Sequence, residues 1–176
     1  HSFPTRRSSD LDKLKKALID EFLLKLPDDS LIMGQRLAEW CGKGPYLEED
    51  IAVINIALDQ LGQANNFYNL AANLFNDGRT ADDFAMLRVE KEYLNAQLVE
   101  LPNGDYANTI MKAYFFAVYQ NLLYENLSNS ADEELRAIAQ KSLKEVKYHF
   151  THTETWMRIF AQGTDESQKR IEAALE

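Results

Sequence analysis

The chain has 176 residues, 45% of them hydrophobic, with 28 acidic against 19 basic side chains and a formal net charge of −9. That length suits one substantial core better than two, and the acidic surplus, with basic residues scattered singly or in pairs, disfavours nucleic acid and anionic membranes as main partners. The single cysteine, Cys41, excludes an internal disulfide, and no apolar run approaches the roughly 18 residues of a membrane span, so a reduced, cytoplasmic setting is expected.

Residues 1–10 have no starting methionine and read as a Ser, Arg and Pro string without apolar periodicity; they are expected to be a non-native or disordered tail. A single helical domain is expected over residues 11–176, truncated at its C-terminus, because residues 166–176 form an amphipathic stretch with no Gly, Asn or Pro stop signal. Within that domain there is almost no period-two alternation. Leu11 to Leu26 reads as a helix with Leu14, Leu18 and Phe22 on one face; Pro27 interrupts it, and Asp28, Asp29 and Ser30 are cap-type residues from which it restarts, or continues with a kink, to Trp40.

Three acids, Glu48, Glu49 and Asp50, open the most hydrophobic segment, which runs to Phe75 and carries apolar residues round more than one face. A helix apolar on several sides is expected to be central or to meet another subunit. Thr80 with Asp83 predicts a helix start and a run to Leu101, and Pro102-Asn103-Gly104-Asp105 predicts a turn. Tyr106 to Leu127 follows, with Tyr114, Phe115, Phe116, Tyr119 and Tyr124 read as packing residues. Ser130 and Glu133 fit a capping box for a helix to Gln162, and Thr164 caps a last one. Long helices on short connections predict an all-α, up-and-down antiparallel bundle.

Bundles of this kind host di-iron centres built from two lone Glu residues and two Glu-x-x-His pairs. Residues three apart share a helix face, which lets carboxylate and imidazole reach the axis together. No Glu-x-x-His occurs here: Val146 precedes His149, and His149 itself precedes His152. The combination Glu39, Glu145, His149 and His152 is the alternative, an independent metal-binding bundle, and its weakness is ligand count. Asn55, Asp59, Gln60 and Gln63 interrupt the most apolar helix and, if buried, need hydrogen-bond partners.

Several ordered motifs carry a family resemblance. Gln35-Arg36-Leu37-Ala38-Glu39-Trp40-Cys41-Gly42, Leu47 to Ala52, Ile56-Ala57-Leu58-Asp59-Gln60-Leu61-Gly62-Gln63-Ala64, Leu98 to Asp105, Lys144 to His149 and Gly163 to Ser167 strongly resemble the structural, C-type subunits of bacterial phenylacetyl-CoA 1,2-epoxidase, over about Leu18 to Glu176. The resemblance implies a ferritin-like, non-catalytic subunit of a multicomponent monooxygenase that acts in aerobic phenylacetate catabolism. It implies no cofactor in this chain, and as partner a homologous catalytic A-type subunit that holds the di-iron; an indirect contact with phenylacetyl-CoA is compatible with it, and whether any residue here touches the CoA is left open. Catalytic subunits carry a motif like Asp-Glu-Ala-Gly-His where this chain has Asp59-Gln60-Leu61-Gly62-Gln63. Gln60 and Gln63 then stand at ligand positions, Val146 at that of a carboxylate, and His149 is retained; no catalytic, cofactor or metal-binding residue is implied.

Overall fold

A stripe of leucines decides the first element. Leu23, Leu26, Met33 and Leu37 recur at steps of three, four and seven and are all buried, on both sides of Pro27. Burying them contributes about 1.5–3 kcal/mol each, more than the roughly 3 kcal/mol that a helix-interior proline costs. The outcome is one uninterrupted helix, α1 (Arg6–Ala38), with Pro27 inside it. Asp28, Asp29 and Ser30 therefore do not cap a restarted helix; they lie mid-helix and buried.

The computed structural model describes residues 6–176. The tail expected over residues 1–10 lies outside the described residues for 1–5, and Arg6 to Asp10 are helical.

Helix α2 (Leu47–Phe75) starts with Glu48, Glu49 and Asp50 in its first turn, where they offset the helix dipole. It stops at Asn76, whose φ of 47° is left-handed and lets its N–H bond to the Ala72 carbonyl. The next segment departs from the expected helix to Leu101. Thr80 and Asp83 do form a capping box, but α3 (Ala81–Met86) is six residues long, followed by a 3-10 turn (Glu90–Glu92) and the four-residue α4 (Gln97–Glu100). Tertiary contacts override propensity here. The Leu94 and Ala96 amides, which a helix would use internally, donate instead to Asp28 Oδ2 (2.7 Å) and Asp29 Oδ1 (2.6 Å) of α1.

Asp105 and Asn108 cap α5 (Tyr106–Leu127) reciprocally. For α6 (Glu133–Gln162) the cap is Asp132, which accepts from the Leu135 N–H at 2.8 Å, while Ser130 accepts from Asp132; the Ser130 box is corrected by two residues. Thr164 caps α7 (Asp165–Ala173) as expected. Among the described residues there is no strand, and no helix is long and apolar enough to cross a membrane.

Packing fixes the topology. Leu23 shares one core cluster with Leu70 and Leu37 another with Val53, so α1 and α2 are antiparallel. Ile56 meets Phe116 and Phe67 meets Tyr124, so α5 runs parallel to α2 after the long 76–105 crossover. Tyr124 with Val146 and Met111 with Met157 and Phe160 bring α6 back antiparallel to α5. This is a four-helix bundle with one long crossover, the ferritin-like arrangement. Of the α5 aromatics, Phe116 and Tyr124 are core, whereas Phe115 and Tyr119 are partly exposed.

Candidate functional site

Each long helix sends a polar side chain to the middle of the bundle. From α2 come Gln60 and Gln63, three apart on one face; from α5, Gln120 and Tyr124; from α1, Ser30; from α6, His149 beside the buried Val146. The amides of Gln60 and Gln120 pair reciprocally, with Gln60 Nε2 donating to Gln120 Oε1 at 2.7 Å and Gln120 Nε2 to Gln60 Oε1 at 3.0 Å. The Gln120 amide also lies 3.2 Å from Ser30 Oγ and 3.3 Å from Gln63 Oε1. Tyr124 donates its hydroxyl to Gln63 Oε1 at 3.2 Å. Burial pushes the Tyr124 hydroxyl far above its ordinary pKa, with the Ser30 and Gln120 hydrogen bonds working against that shift.

Two carboxylates sit at the edge of this amide centre. Glu145 accepts from Gln63 Nε2 at 2.9 Å, and Asp59 lies 2.9 Å from His149 Nε2. Because Gln60 Nε2 reaches His149 Nδ1 at 3.3 Å as a donor, Nδ1 accepts and the ring proton sits on Nε2, facing Asp59. The result is a closed network in which buried polar groups of the centre are satisfied by one another.

A di-iron group, which the resemblance attaches to this fold, does not fit these side chains. Four carboxylates and two imidazoles are required, and here three amide nitrogens carry hydrogens toward the centre while Val146 offers no donor atom. The void beside Gln60 and His149 is about 10 Å³, no more than one water needs. Among the described residues no group of three or more His, Cys, Asp or Glu could hold a metal ion. The alternative ligand set is dispersed. Glu39 pairs with Arg36 and Asn103, Glu145 with Gln63, and His152 lies 3.3 Å from Glu49 Oε2, at ion-pair distance without hydrogen-bond alignment.

Three further polar clusters support the bundle. At one end, Glu49 accepts from Tyr106 (2.8 Å) and Trp156 (2.8 Å) within an aromatic group that includes Trp40 and Phe160. Burial lowers the pKa of His152 there, against the raising effect of Glu49. Beneath the crossover, Asp28 is ion-paired to Arg88 and accepts from Tyr68 at 2.5 Å. Its neighbour Asp29 has one oxygen on Ala96 and one without a partner among the described residues, and burial raises its pKa to about 6. Lys112 is buried, donates to Leu101 O (2.7 Å) and Asn103 Oδ1 (2.9 Å), and has its pKa lowered to about 8 by that burial.

Sequence reasoning marked Gln60, Gln63, Val146 and His149, and the fold brings these four together. It missed Ser30 and Gln120 as members of the same centre. Their signal was position: Ser30 falls between Leu26 and Met33 on the core stripe of α1, and Gln120 falls between Phe116 and Tyr124 on that of α5.

The fold and its centre define a ferritin-like helical bundle whose middle is lined with amides and hydroxyls in place of carboxylates. Residues 6–176 match the family described as Phenylacetic acid catabolic protein, and the chain belongs to that family. A relative from Escherichia coli (strain K12), the C-type subunit of 1,2-phenylacetyl-CoA epoxidase, is 42% identical over 154 residues, covering 88% of this chain; the chain spans 62% of that relative's length.

Proposed function

We propose that this chain is a structural, non-catalytic subunit of a phenylacetyl-CoA epoxidase, which binds and supports a homologous di-iron catalytic subunit in cytoplasmic phenylacetate catabolism. The observation that supports it most is the reciprocal Gln60–Gln120 amide pair at the bundle centre, where each amide nitrogen donates to the other side chain's oxygen. In this reading Gln60, Gln63 and Val146 are degenerate ligand positions, His149 is a retained one, and Ser30 and Gln120 fill the two lone-carboxylate places of the other helices. Their work is mechanical: they replace metal–ligand bonds with hydrogen bonds, so the bundle keeps its shape with no iron of its own. The resemblance to C-type subunits supports the assignment to this complex.

Purification with the A-type subunit tests the reading. The expected result is a stable complex by light scattering, with iron in proportion to the A-type subunit and none in this chain alone by elemental analysis. Two irons bound by the isolated chain, with no complex formed, would refute it.

A further inference from the structure

Helix α2 presents a continuous outer face that carries almost no charge. Its exposed residues Ile51, Asn55, Leu58, Gly62, Asn65 and Asn69 follow one another at steps of four, three, four, three and four, the alternation of a coiled-coil seam. Spacing of this kind marks any exposed helix face; composition is what sets this one apart. Asp59 is the only charged residue from Ile51 to Phe75, whereas a solvated helix face is ordinarily rich in Lys and Glu. Ile51 and Leu58 remain 54% and 59% exposed. Glycine and asparagine are poor helix formers at solvent positions, and a Cβ at Gly62 would meet nothing within 4 Å, so no contact among the described residues requires glycine there. Depletion of charge at a surface that is otherwise unfavourable for its own helix is the composition of an interface core.

We infer that this α2 face is the docking surface for a long helix of a different ferritin-like subunit, one presenting apolar and amide side chains without carboxylates. The inference rests on the structural-subunit reading and names the face and the occupant. Area supports it. From Leu47 to Leu74 the helix is about 40 Å long and about 10 Å wide, which gives about 400 Å² for α2 and about 800 Å² with the flanking α6, the share per partner of a stable complex. On α6, Tyr148 is 51% exposed beside this face and stacks on His152 at 6.0 Å, supplying an aromatic anchor. Charge argues against a second copy. Both copies would carry −9, and two-fold pairing about Gly62 would set Glu48 of each against the Asn76–Asp77 turn of the other.

The triple variant Asn55→Lys, Leu58→Lys, Gly62→Lys introduces charge at open positions without touching the core, and Leu122→Lys on the exposed side of α5 is its control. Circular dichroism is expected to give unchanged helicity for both. The A-type di-iron subunit, titrated against each by calorimetry, is expected to bind the triple variant at least tenfold more weakly and the control as tightly as the wild type. Full affinity in the triple variant overturns the face and leaves the subunit reading intact. No binding by the wild type overturns the subunit reading itself. A wild-type homodimer that the triple variant loses overturns the choice of occupant.

Discussion

Replacing Gln120 by leucine removes the amide that ties three helices together while keeping side-chain volume close. Two acceptors then lose their donor: Gln60 Oε1, which receives only from Gln120, and Ser30 Oγ. Gln60 Nε2 keeps one hydrogen on His149 but loses the acceptor of the other, and Gln63 Oε1 keeps Tyr124, so the loss falls on Ser30 and on both ends of the Gln60 amide. At about 1–3 kcal/mol for each buried polar group left unpaired, the variant is expected to lose about 3–4 kcal/mol, which for a chain of this size lowers Tm by roughly 10 °C. Urea unfolding followed by circular dichroism measures the first figure, and a thermal melt the second. The double variant Gln60→Leu, Gln120→Leu sharpens the test, because removing both partners leaves no reciprocal orphan; it is expected to be at least about 1 kcal/mol more stable than additivity requires. A single variant within about 1 kcal/mol of wild type, or strict additivity, would refute the closed network as the bundle's central tie.

The other buried groups give separate expectations. Asp29, with its pKa raised to about 6, binds a proton in the folded chain that the unfolded chain has already released, so its contribution to stability falls as pH rises from about 4 to about 6; Asp29→Asn is expected to gain up to about 3 kcal/mol on wild type across that window in unfolding titrations. Lys112 has the opposite sign of slope. Its pKa of about 8 makes the unfolded state the better proton binder, so wild-type stability rises from about pH 8 to about pH 10, and Lys112→Met is expected to flatten that rise in the same assay. Arg88→Met strands the buried Asp28 carboxylate and is expected to cost about 3–5 kcal/mol, with partial recovery in the added variant Asp28→Asn, as read by denaturant midpoints.

Helix existence was legible from periodicity for α1, α2, α5 and α6, since each buries a stripe wide enough to dominate its local preferences. Where an element's backbone is spent on a distant side chain, periodicity carried no information. The crossover shows this: its capping box at Thr80 was readable, but the release of Leu94 and Ala96 from any helix depends on Asp28 and Asp29, more than sixty residues earlier. Pro27 left restart and continuation both open for a related reason: its local penalty is visible in the sequence, whereas the apolar stripe that outweighs it and carries the helix on is a property of the packed bundle. At the centre, Gln60, Gln63 and His149 stood out as polar residues in apolar or metal-like contexts. Ser30 looked like a cap, and Gln120 lay hidden among aromatics.

The attachment of the crossover to α1 has a consequence for motion. Its amides at Leu94 and Ala96 are held by side-chain carboxylates of another element, and Arg88 clamps the same carboxylate of Asp28. Residues 88–96 are thus tied to the middle of α1 as well as to one another, and they are expected to open as a single unit when that helix shifts. Native-state hydrogen exchange at these two amides, neither of which belongs to a helix, is expected to be slow and to share one opening free energy, a latch read out at two points.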